Sequence, residues 1–426
     1  MTAYMQLVRG LNRDVRLLLI SSALIGFSTF GGITSVLGNL YLLRLGFPVE
    51  FIGLYIASGL IAFAALCLPA GAFSARWGDR RVTAGGLTGL TLGTLMMPLV
   101  EIMPEAVRGG WLLLANVIGS GGIAVYFVSS NLYLTAVTTP AVRGHAFSIQ
   151  GGIWPLAGFG GSLVGGALPG FLAFVLGVDL ADPAPYRYAL LLAPLLLLPG
   201  ILAILRTGEI TRPRAITGGG SGASNRPLHI IMLLGMVGLL QMAGEGVARN
   251  FMNIYLDQGL GMAPAQIGLL LAIAQLLATP AALATPLLMA RFGRKTTFII
   301  ASGGIGISLL PIGLFGHWAA AGLGYLGVMV TGSVRRPANI VMQMESVAPA
   351  WRPTMSAVST MAAGIGGALV AISGGLIISR WGFAWLFGMG AAFSLIGMLV
   401  FMIGFRSGST ADRAAQAAHI AEGEAH

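Results

Sequence analysis

Long apolar runs, broken by short polar or glycine-containing loops, recur along the whole chain. In order they predict helices near 15–43, 51–74, 82–103, 110–137, 146–176 and 187–206, then near 229–256, 264–289, 296–316, 319–346, 354–379 and 383–405. Each run supplies the roughly 20 residues that a helix needs to cross a hydrocarbon core. The pattern predicts an all-α integral membrane protein with twelve transmembrane helices. One long polar stretch interrupts it, RTGEITRPRAITGGGSGASNRP at 206–227, whose Gly, Ser and Pro content marks a flexible linker. The expected organisation is a six-helix bundle over 1–206, a linker over 207–227, a second bundle over 228–406 and a short disordered tail over 407–426.

The two bundles repeat one another. Asn39-Leu-Tyr-Leu42 returns as Asn253-Ile-Tyr-Leu256, and Ile52-Gly53-Leu54 as Ile267-Gly268-Leu269. Ala75-Arg-Trp-Gly78 returns as Ala290-Arg-Phe-Gly293, and Pro140-Ala-Val-Arg143 as Pro349-Ala-Trp-Arg352. The offsets are 214, 215, 215 and 209, in unbroken order, with the drop falling where the loop after the third run is the longer one. An internal duplication of six helices gives two pseudo-symmetric halves of parallel orientation.

Composition closes off the soluble alternatives. Hydrophobic residues make up 56% and charged residues 9%, with a mean hydropathy of +0.85, whereas soluble domains carry roughly 25% charge. The 64 glycines suit close helix packing in lipid. The single cysteine, Cys67, excludes an intrachain disulfide and any zinc-type spacing, and reads as a small core residue. The first apolar run follows a basic start without a small-residue cleavage site, so it reads as a retained span.

The net charge of +10 gains its meaning from its placement. With the N-terminus inside, fifteen Arg and Lys residues lie at cytoplasmic loop positions. Four, Arg44, Arg108, Arg187 and Arg380, lie on the other side. The positive-inside rule then puts both termini in the cytoplasm of a multi-pass plasma or inner membrane protein. The basic balance is a topogenic signal, so no nucleic-acid partner is expected.

Over nearly its whole length the chain resembles the major facilitator superfamily. The residues carrying the resemblance are Gly71, Arg76, Gly78, Arg80 and Arg81 between spans two and three, and Arg291, Gly293, Arg294 and Lys295 in the second copy. The family's acidic position is Ala75 in the first copy and Ala290 in the second. Glu345 and Arg352 have the spacing of a second family pattern at the end of span ten, and the first copy has Ala136 in place of that Glu. The resemblance implies a cytoplasmic gate at these loops, with Glu345 pairing Arg291 or Arg294 across it. The alternative is that the loop arginines only set topology. In span five, Gly152-Ile-Trp-Pro155 through Gly161 is similar to an antiporter signature, with Trp154 in place of a glycine; close packing explains the same glycines.

Charged side chains at mid-bilayer cost roughly 2.5–3.5 kcal/mol each on insertion scales and default to function. Glu245 and Arg249 stand four apart in span seven, on one helix face. Arg335 and Arg336 stand in span ten, followed by Pro337, which is expected to kink or break the helix. The resemblance implies that spans one, four, seven and ten line one central cavity, which gathers these residues with Asn39, Tyr126 and Asn131. Two readings stay open: the arginines bind a carboxylate or phosphate of the solute, or the charges form an ion-pair network that locks conformations. Arg336 alone has a further option, snorkelling or meeting backbone carbonyls freed by Pro337. Glu245 is the first candidate for any proton coupling.

The expectation is a monomeric secondary transporter of a small organic solute, anionic or zwitterionic, working by alternating access and using the bilayer and a proton gradient as its other partners. A multidrug-type proton antiporter is the alternative, and a transporter-like membrane sensor is the alternative of another class. Neither an enzyme nor a cofactor is expected: His145, His229 and His317 are scattered, and no metal-ligand spacing or phosphate-binding loop is present.

Overall fold

The computed structural model describes residues 12–209, 228–348 and 351–423, with side chains placed outside 140, 141, 143–145, 353 and 406–423. Nearly all of the 207–227 linker lies outside the described residues. Span one is split into Arg13–Ser28 and Ile33–Arg44. Spans two to six are Val49–Trp77, Asp79–Met96, Glu105–Val137, Pro140–Leu176 and Ala184–Leu205. Span seven is Leu228–Ile254, prolonged by the turn Tyr255–Gly259. Spans eight to twelve are Pro264–Phe292, Arg294–Leu314, Trp318–Glu345, Arg352–Trp381 and Phe383–Gly423. The last helix runs on past Phe405 through the Ala-rich stretch 414–421, a composition that favours helix.

Among the described residues, ten spans are long and apolar enough to cross a membrane on hydropathy alone. The other two are span three, rich in Thr and Gly and starting with Asp79-Arg80-Arg81, and span ten, which carries Arg335 and Arg336. Together they make twelve transmembrane helices. Two details differ from the hydropathy pattern. Span one is interrupted at 29–32, where Gly31 has a φ of +76°. Span three stops at Met96 and gives way to a tight turn, Pro98–Ile102, because Pro98 lacks the amide proton the next helical bond requires.

Local chemistry explains why both copies keep their loop glycine. Gly78 and Gly293 join spans two to three and eight to nine with φ of +86° and +79°, a region where a β-carbon is disfavoured. Glycine also sets helix spacing within a bundle: a β-carbon on Gly93 of span three would lie 2.4 Å from the backbone of Gly119 in span four.

The two halves meet at one end of the bundle and separate toward the other. At the end opposite the chain termini a single apolar cluster runs through both halves, joining Ile33, Leu37 and Ile52 to Val247, Phe251, Ile267 and Ala274. At the terminus-bearing end each half has its own core, Val15, Leu18, Tyr126 and Leu197 in one and Leu234, Phe298, Met355 and Phe401 in the other. Span two packs on span eleven, where Gly53 faces Ala371, and span five on span eight, where Gly166 faces Gly268. Along span two the close approaches reach Leu60 and Ala64, near its middle. A cleft therefore opens from the terminus-bearing end to mid-membrane depth.

Candidate functional site

Glu245 lies in span seven, roughly 26 Å from the helix start at Leu228. Ala243, Val247 and Ala248 beside it belong to the shared core, so Glu245 stands where the sealed region ends. Its side chain is 0% exposed, and it accepts three charge-assisted hydrogen bonds. Oε1 accepts from Arg249 Nε at 2.6 Å and from Arg336 Nη2 at 2.8 Å, and Oε2 accepts from Arg335 Nη2 at 2.6 Å. Arg249 is one helical turn further along span seven; the other two arrive from span ten. Gly332, one turn before them, makes room: a β-carbon there would sit 3.2 Å from the Glu245 carboxyl carbon. The expected break at Pro337 does not occur, since span ten is helical on both sides of it. Arg336 meets Glu245, not carbonyls freed by the proline.

One carboxylate against three guanidinium groups leaves two positive charges in excess. They are not equally placed. The Arg335 side chain is 6% exposed, and its Nε is buried without a hydrogen-bond partner. Arg249 and Arg336 are 31% and 49% exposed. Buried Glu245 and Arg335 thus form the anchor, and Arg249 and Arg336 present donor groups to the cleft. A guanidinium offers a planar fork of N–H donors matched to carboxylate and phosphate oxygens.

The remaining candidates of the first half divide. Asn131 is half-buried on span four, on the same helix face as Phe127. Tyr126 faces away from the cleft: it is fully buried, with its hydroxyl 2.7 Å from Ser21 Oγ and 3.1 Å from Ser22 Oγ of span one. Asn39 lies in the seam between halves, its Nδ2 donating to Asn250 O at 3.0 Å and to Asn253 Oδ1 at 3.1 Å. A polar side chain on a cavity-lining span faces the cavity on only part of the helix circumference, and these two face neighbouring helices.

The loop residues cluster at the terminus-bearing end. Arg76 lies 5.8 Å over the Trp77 ring and Arg291 5.4 Å over the Phe292 ring, an arrangement repeated in both copies. Gly78 and Gly293 make the turns; Gly71 is half-buried, and Arg80 is partly buried with its Nε lacking a partner. Glu345 pairs with Arg294. Both belong to the second half, on spans ten and nine, so the pair closes that half's own loop and does not bridge the two halves. Arg352 donates from Nε to Met344 O at 2.8 Å, tying span eleven to the end of span ten. Asp79, the first residue of span three, is a buried acid that the loop motif did not single out. A carboxylate in a helix's first turn complements the helix dipole.

Sequence reasoning also missed the fastening between the halves. Arg44 donates to Asp257 through its two terminal guanidinium nitrogens, Nη1 and Nη2, at 2.9 and 2.6 Å, across the end opposite the termini. Gln275 of span eight reaches into the break of span one, donating to Gly31 O at 2.6 Å and to Ser162 Oγ at 3.0 Å. Its isolation in an apolar run (AIAQLLA) was the available signal. A separate cleft of about 540 Å³ lies between spans two, three and four, lined by Leu66, Phe73, Gly85, Gly89 and Gly121. It contains none of the charged cluster.

Comparison with known proteins agrees with the fold. The family model described as Major Facilitator Superfamily matches residues 234–423. Among solved structures, a mutant of the nucleoside transporter NupG superposes with a TM-score of 0.73 at 17% identity, over 92% of this chain and 100% of that one. The inward-open xylose transporter XylE from E. coli gives 0.72 at 16% identity, over 91% and 95%. The human organic anion transporter MFSD10 gives 0.61 at 16%, over 91% and 99%. Curated protein sequences gave no match. The family model thus covers most of the second half, and the two six-helix halves share the whole-length fold of these solved transporters.

Proposed function

We propose that the protein is a secondary transporter that carries a small organic anion, or a zwitterion through its anionic group, by alternating access. The observation that carries this reading is the pair of cleft-facing guanidinium groups, Arg249 and Arg336, held in place by a buried carboxylate where the sealed core begins. An ion-pair network serving only as a lock would gain nothing from two uncompensated positive charges facing water. The structural relatives carry names of transporters for nucleosides, xylose and organic anions, in keeping with a small-molecule carrier. The distribution of Arg and Lys supports a cytoplasmic terminus-bearing end in a plasma or inner membrane, and hence an inward-facing arrangement. One chain supplies the whole site, so the monomer is the working unit.

In this reading Glu245 positions the arginines, and the two halves rock about the bound anion to expose it on the other side. The test is uptake into proteoliposomes under an imposed pH gradient, with organic anions and cationic dyes screened in parallel. Anion uptake that is lost in Arg249→Gln/Arg336→Gln supports the reading. Movement of cationic dyes alone, indifferent to that double variant, replaces it with a drug antiporter. Dependence on the gradient assigns coupling to protons; equal uptake without it removes protons from the scheme.

A further inference from the structure

The first half carries a group of aromatic rings. Phe30, at the break in span one, lies with its ring centroid 5.0 Å from Trp154 of span five, and Phe127 of span four meets Trp154 edge-on at 6.1 Å. Phe30 and Phe127 are each 45% exposed. The internal repeat places them. The offset of 214 that relates Asn39 to Asn253 puts Gly31, next to Phe30, at the position of Glu245. The offset of 209 that relates Pro140 to Pro349 puts Phe127 at the position of Arg336, and buried Tyr126 at that of buried Arg335. At matching depth the second half presents guanidinium groups and the first half presents rings.

Span four shows that Phe127 faces the cleft between halves. Tyr126 is turned to span one, and Gly122 and Val125 line the separate cleft toward spans two and three. Phe127 falls on the remaining face, with Asn131 one turn on and Trp154 beside it. Phe30 sits at the floor, since its neighbour Gly31 accepts the hydrogen bond from Gln275 of the other half. Each aromatic side chain removes some 150–250 Å² from water when covered, and ring pairs favour offset or edge-on contact. A small aliphatic anion held at the arginines would leave these rings wet.

We propose that the solute is an aromatic or otherwise flat apolar anion, its charged group on Arg249 and Arg336 and its ring against Phe30, Trp154 and Phe127. This rests on the anion reading above and narrows it. The test is equilibrium binding by titration calorimetry, protein in lipid nanodiscs, with 2-naphthoate and propionate as probes. Wild type binds 2-naphthoate at least tenfold more tightly than propionate. Phe127→Ala weakens 2-naphthoate about tenfold and leaves propionate within about twofold, while Trp154→Phe keeps most of the affinity. Thermal melting checks that each variant is folded; should Phe127→Ala fail, Phe30→Leu is read in the same way. Equal weakening of both probes, or of neither, by the ring variants overturns the proposal and leaves the anion site standing. Loss of the underlying reading looks different: neither probe binds wild type, or Arg336→Gln leaves both affinities unchanged.

Discussion

Replacing Glu245 by Gln removes one negative charge and almost no volume, so its effects isolate the electrostatics of the cluster. The carboxylate uses two oxygens to accept from three arginines. An amide has one acceptor oxygen, and its NH₂ would face a guanidinium, donor against donor. At least one arginine loses its partner, and the excess positive charge rises from two to three. Opposite charges about 4 Å apart attract by about 4 kcal/mol at an effective dielectric of 20. Arg336, half open to water, contributes far less than buried Arg335. Removing one partner of a buried pair costs on the order of 3–5 kcal/mol, and the Arg335–Glu245 contact dominates that figure. The assay is thermal unfolding of the purified protein with and without a bound organic anion. Glu245→Gln lowers the melting temperature markedly, and a saturating anion recovers part of the loss by taking the carboxylate's place beside the arginines. Arg336→Gln, by contrast, costs at most about 1 kcal/mol and loses the stabilisation by anion. A Glu245→Gln protein as stable as wild type would refute the picture of a buried carboxylate holding three arginines.

Other predictions concern the moving parts. Asp257→Asn breaks the charge pair with Arg44 at the sealed end, partly buried at 7% and 21% exposure, and costs that closed state on the order of 2 kcal/mol. In a Cys67→Ala background, spin labels at Glu105→Cys and Gly316→Cys then show a longer interhalf distance; an unchanged distribution contradicts the fastening role. Gly268→Leu places a side chain where Gly166 and the Ser162 carbonyl lie within 3 Å of the β-carbon position, so the same labels report a protein held open at that end, and transport stops. Glu345→Gln removes an exposed pair with Arg294 and changes melting by less than about 1 kcal/mol; a larger loss shows that the loop pair carries more of the fold than its exposure suggests.

Much of the architecture is legible because lipid imposes a coarse rule: each crossing needs a long apolar run, and Gly78 and Gly293 mark equivalent turns in the two copies. The ion cluster is legible for the converse reason, since Glu245, Arg249, Arg335 and Arg336 interrupt those runs. What escaped is whatever depends on which way an uncharged polar side chain points. Asn39 and Asn253 are visible as repeat mates, yet nothing in the repeat says that they bond each other in the seam. Arg44 and Asp257 each look like an ordinary loop charge. Glu345 has its partner among the arginines named for it, but both belong to the second bundle, so the pair expected across the gate lies within one half. Tyr126 and Phe127 are adjacent in sequence, and a rotation of about 100° per residue sends one into the bundle and the other to the cleft.

The claim that a positive, cleft-facing site carries an anion across the membrane is tested most directly by current recording on a solid-supported membrane. Proteoliposomes are adsorbed to the sensor and given a concentration jump of an organic anion such as 2-naphthoate. Wild type is predicted to give a transient current with the sign of inward negative charge, and Arg249→Gln/Arg336→Gln to give none. A full-sized current in the double variant, or silence with anions alongside currents with cationic solutes, would contradict the account.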